Sequence, residues 1–110
     1  LHSSREAPSG YEILKMATRG SARLLGRSDI GALSVGQCCD LFLIDSRRLE
    51  LTGACFDPCS VLATVGVRAP VDYTVVNGRV TVREGRLVSA DEETTAEAAQ
   101  KKCEAYLRMR

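Results

Sequence analysis

The sequence has one histidine, His2, no tryptophan, three prolines and almost no net charge, +1 from 15 Lys+Arg against 14 Asp+Glu. A single histidine closes off most imidazole chemistry. A Cys–His pair or a Ser–His–Asp arrangement needs a base within reach of its nucleophile, and His2 sits in an opening stretch without periodic pattern. The metal-ligand spacings CxxC and HxH are absent. So is any GxGxxG or glycine-rich lysine loop opening a helix. Near-neutral charge removes the basic excess that a nucleic-acid footprint requires. The longest aliphatic and aromatic run is Leu41-Phe42-Leu43-Ile44, far short of the roughly 20 residues of a membrane-spanning helix. Residues 1–10 lack the basic-then-apolar order of a secretory signal. These exclusions give the expectation of a cytoplasmic protein with neither a nucleic-acid nor a membrane partner. No Met opens the chain, which fits a processed product or a piece of something longer.

What remains is globular in character. The 110 residues are 45% apolar and 26% charged, room for one domain of ordinary size. Five cysteines, Cys38, Cys39, Cys55, Cys59 and Cys103, are an odd number. Neighbouring Cys38 and Cys39 stand too close for ordinary disulfide geometry. They read first as small buried hydrophobes in a reducing compartment. A thiolate zinc site from Cys55 and Cys59 with Cys38 or Cys39 is the sharper alternative, resting on a weak CxxxC spacing.

Along the chain, Ile13, Met16, Ala17, Ser21, Leu24 and Leu25 recur at helical spacing. Ser9 followed by Glu12 reads as a capping box and Gly26 as a left-handed stop. Gly20 inside this helix suggests close packing against a neighbour. Asp40 and Asp45 bracket a buried apolar strand, and Gly31 and Gly36 mark turns. Asp57-Pro58 reads as N-cap and first position of a short helix from Pro58 to about Thr64, ended by Gly66. Residues 72–76 and 79–83 flank Asn77-Gly78, the strongest two-residue hairpin signal. Glu84-Gly85 turns again into residues 86–88. The last segment, 91–109, places Ala96, Ala99, Cys103, Tyr106 and Leu107 on one helical stripe.

The titratable groups suggest little chemistry. Asp29, Asp40, Asp45, Asp57 and Asp72 all fall at element edges, where caps and turns account for them. Arg19 and Arg23, one turn apart, could hold an anion, although a solvated helix face explains them better. From the residues alone, the chain reads as a binding or structural piece without an active site of its own.

Four strings carry a resemblance. Thr18-Arg19-Gly20-Ser21-Ala22-x-x-Leu25-Gly26 leads into Ile30-Gly31-Ala32-Leu33-x-x-Gly36-x-x-Cys39-Asp40-Leu41. Further on come Asp57-Pro58-x-x-x-Leu62 and Val71-Asp72-Tyr73-x-Val75-x-Asn77-Gly78-x-x-x-Val82-x-x-Gly85-x-Leu87. Over about residues 12–95 the chain resembles the C-terminal end of metal-dependent amidohydrolases, in the branch of 8-oxoguanine deaminase and atrazine-type chlorohydrolases. Cys39 departs from the pattern, which usually has Ala before the Asp.

The resemblance implies an α+β piece of a larger architecture: the C-terminal helix of a TIM-like barrel, half of a small composite β-sandwich, and a C-terminal helix. Residues 1–27 would end the barrel domain. Residues 28–90 would form the sandwich half, with a short helix near 58–64, and residues 91–110 the last helix, packed back on the barrel. The family's metal, a zinc or iron ion, is held by His and Asp residues on barrel strands upstream of the matched part. The resemblance therefore assigns no catalytic, cofactor-binding or metal-ligating residue to this chain. Three readings stay open. They are a C-terminal fragment of a hydrolase of non-peptide C–N bonds, a non-catalytic module that self-associates, and a cysteine-based metal or redox module. The implied partner is the missing barrel portion or a second copy of the chain.

Overall fold

The computed structural model describes residues 7–109. The first helix begins with reciprocal capping: Ser9 Oγ accepts the Glu12 N–H at 3.2 Å, and Glu12 Oε2 accepts the Ser9 N–H at 2.7 Å. These bonds favour the ionised Glu12 carboxylate and hold its pKa below the ordinary value. The helix runs as α1 (Gly10–Lys15), one π-turn (Met16–Gly20) and α2 (Ser21–Leu24). Gly26 ends it at φ 68°, the left-handed stop anticipated from the sequence.

The first helix departs from two expectations. Ser21 N–H donates to the Met16 carbonyl five residues back, so one extra residue rotates the faces on either side by about 100°. The side turned toward the rest of the chain carries half-buried Leu14 and buried Ala22, while Ile13, Met16, Leu24 and Leu25 stay exposed. Nor is Gly20 the point of close approach, since a Cβ there would meet nothing nearer than 3.7 Å. The tight contacts are made at Gly31 against Ala22 and at Gly10 against Ser60.

Four antiparallel strands follow in the order β1 (Leu41–Leu43), β2 (Tyr73–Val76), β3 (Arg79–Arg83) and β4 (Arg86–Leu87). Asn77 and Gly78 have φ 48° and 77°, and Glu84 and Gly85 have φ 50° and 77°. Positive φ at both central residues is the backbone signature of the type I′ turn, whose twist matches the flanking strands. The chain between β1 and β2 holds two single 3₁₀ turns, Leu49–Leu51 and Ala54–Phe56, and α3 (Val61–Thr64).

The short helix expected from Pro58 starts three residues later. Asp57 closes the preceding 3₁₀ turn, its carbonyl accepts the Ser60 N–H at 3.1 Å, and Ser60 occupies the N-cap position. A turn of the tighter kind thus uses the Asp57-Pro58 punctuation before the α-helix begins.

Register places apolar residues on both sheet faces. Phe42, Thr74, Val82 and Leu87 are paired in a row on one face, and Leu41 with Val75 and Leu43 with Tyr73 lie on the other. The register shift at Thr74/Val75 makes Thr81 the extra residue, so Val80 and Val82 take opposite faces. The strand expected to be buried is not covered within this chain: Phe42 is 48% and Leu43 55% exposed. Among the described residues the buried apolar side chains are Ala22 and Leu51, and neither is sealed completely from solvent.

α4 (Glu92–Arg108) starts at Asp91, whose side chain accepts the Thr94 N–H at 3.0 Å. It is tethered to β4 by Leu87 N–H on Glu92 Oε1 at 2.9 Å and by Arg86 beside Glu92 and Glu93. None of its described residues is buried. The resulting shape is open. The radius of gyration is 18.5 Å, against about 13 Å for a compact domain of this length.

Candidate docking surface

A recess lies between the first helix and β1. Leu14, Ala17 and Leu25 form one wall, Leu33 and Phe42 the other, and the space is about 600 Å³. Its wall is built by local rules. Gly31, at φ 92°, lets the 30–33 segment cross the helix directly over Ala22, and Cys38 N–H on the Asp29 carbonyl at 2.8 Å closes the loop. Lys15 and Arg19 stand at the helix edge and Asp40 at the strand edge, so a largely apolar slot has charged margins. Such a surface can bind an apolar segment. It holds no nucleophile paired with a base.

Four of the carboxylates considered from the sequence, Asp29, Asp40, Asp45 and Asp72, do structural work, whereas Asp57 contributes its backbone carbonyl. Asp29 takes a double hydrogen bond from Arg27, Nε to Oδ1 being 2.9 Å, and the Cys38 thiol at 3.2 Å. Those bonds, Arg27 first, hold the Asp29 carboxyl well below the usual carboxylate range. The same contact, with burial, pushes the Cys38 thiol up. Asp40 accepts the Asn77 N–H at 2.6 Å, tying β1 to the first hairpin turn. Asp45 is held low chiefly by Arg47, whose guanidinium and N–H both donate to it.

Asp72 accepts the Asp45 N–H at 2.6 Å and Arg48 Nη2 at 3.0 Å, and both lower its pKa. Arg48 Nη2 also reaches the Pro70 carbonyl at 2.9 Å. These bonds knit the far ends of β1 and β2 together across 22 to 27 residues of sequence.

The cysteines are not the buried hydrophobes expected from composition. Cys38 is half-buried, and Cys39, Cys55, Cys59 and Cys103 are exposed. No three His, Cys, Asp or Glu side chains come together as a metal cage among the described residues. Cys55 and Cys59 are therefore not joined by Cys38 or Cys39 in a zinc site. His2 lies outside the described residues. Arg19 and Arg23 are exposed along a shallow groove beside Met16 and Gly20. The sequence marks Phe42 as part of an apolar strand and Leu33 as part of a family string, and pattern alone does not show that the two share a recess wall.

A model of the amidohydrolase family matches residues 2–81. The chain belongs to the amidohydrolase family. Its relatives include hydroxydechloroatrazine ethylaminohydrolase of Pseudomonas sp. (strain ADP), 48% identical over 92 residues, which are 84% of this chain and 19% of that protein. The 8-oxoguanine deaminase of Pseudomonas aeruginosa is 42% identical over 78 residues, 71% of this chain and 17% of that protein. Among solved structures, atrazine chlorohydrolase TrzN from Arthrobacter aurescens TC1, complexed with zinc, superposes with a TM-score of 0.77 at 36% identity. The match covers 84% of this chain and 20% of that one. This amidohydrolase chain thus spans about a fifth of the length of the proteins it matches. Among the described residues, no helix is long and apolar enough to cross a membrane.

Proposed function

We propose that the chain is the C-terminal part of a cytoplasmic aminohydrolase that cleaves a C–N bond of a heterocycle with a zinc or iron ion. Its own part is architectural, supplying the last barrel helix, half of a composite β-sandwich and a terminal helix. One observation carries the reading. The chain exposes 9409 Å², against roughly 6,000 Å² for a self-contained protein of its mass. The excess is several times the roughly 800 Å² that one partner contributes to an ordinary interface. A covering body larger than a typical partner fits that excess, and the rest of a polypeptide five times as long would supply it. Apolar residues on both sheet faces point the same way, because a sheet with one face to water carries polar residues there.

The residues of this chain do not fit the family's metal, since no ligand cluster exists among those described. No chemical step is assigned to them. A second reading, a non-catalytic module that covers itself by self-association, draws on the same bare surface, in particular Leu24 at 90% exposure.

The test is catalytic. The purified 110-residue chain, given Zn²⁺ or Fe²⁺, is expected to release no ammonia from guanine, 8-oxoguanine or cytosine, and no chloride or amine from a chlorotriazine. Metal-dependent release by this chain alone, above a metal-free blank, would overturn the reading.

A further inference from the structure

We draw no further inference here: the strongest candidate, the bare Ala96, Ala99, Cys103 and Leu107 stripe of the C-terminal helix α4, carries nothing because nothing in the structure shows what covers it.

Discussion

Gly31 lies across the first helix at Ala22, where a β-carbon on the glycine would stand 2.9 Å from the Ala22 Cβ and 3.1 Å from the Thr18 carbonyl oxygen. Two costs therefore combine in Gly31→Ala. Holding a non-glycine residue at φ 92° costs about 1–2 kcal/mol, and overpacking the contact adds about 1–3 kcal/mol. Gly36 provides the control, with φ 89° and nothing within 4 Å of an added Cβ. Gly36→Ala should show only the conformational part. Urea midpoints at constant slope will separate the two, and equal shifts for both variants would remove the close approach at Ala22.

The first hairpin makes a similar demand without any crowding. Gly78 at φ 77° has open space around its Cα, so the penalty of a side chain is conformational. Gly78→Val should destabilise by about 2 kcal/mol or more, and Gly78→Ala by about 1–2 kcal/mol. Asn77→Gly should change little, because either residue accepts the left-handed region. Thermal or urea unfolding of the three variants gives the ranking, and a harmless Gly78→Val would argue against the I′ turn.

Asp72 confers a pH dependence of definite sign. Its carboxyl pKa is held down by the Asp45 N–H and by Arg48, whereas an unfolded aspartate titrates near ~3.9. The stabilisation is fully present above that value and is lost as pH falls through the lower, folded pKa. Asp72→Asn keeps an acceptor for the Asp45 N–H but gives up the charge facing Arg48. The variant should be less stable than the parent at pH 7, with the gap narrowing in acid. A gap that stays constant from pH 7 to pH 2 would show that this ion pair contributes nothing.

Surface thiols should differ in reactivity. Thiolate is the alkylating species, and the Asp29 contact disfavours it at Cys38. Iodoacetamide at pH 8 should modify exposed Cys39 before half-buried Cys38, and Asp29→Asn should accelerate Cys38. Site-resolved mass spectrometry follows both. Faster modification of Cys38 than of Cys39 in the parent would contradict the assignment.

Released from any covering body, the chain should associate with itself. Leu24 and Met16, 90% and 58% exposed, leave an apolar stripe bare on the first helix. A helix of this length is marginal without a packing partner. Sedimentation of the purified chain should show mass rising with concentration, and Leu24→Glu should lower it while leaving the helical circular dichroism in place. A strict monomer at high concentration, unaffected by Leu24→Glu, would refute the association.

Local chemistry made much of this fold legible in the sequence. Ser9 with Glu12, Asn77-Gly78 and Glu84-Gly85 act within four residues of themselves, so their cap and turns could be located from spacing alone. The family strings around Gly31 and Asp72 were equally visible, because they are contiguous. Tertiary structure decided what depends on residues far apart. The bulge at Thr81 arises from the pairing of β3 with β2, and it turns Val80 and Val82 to opposite faces, which alternation within β3 does not reveal. The π-turn at Met16–Gly20 chose which side of the first helix meets its own chain. Burial was the expectation that failed most plainly, at Leu43 and at the exposed cysteines. Apolar pattern marks a face that favours cover, whereas cover itself requires surface supplied from elsewhere, and this chain has too little of its own.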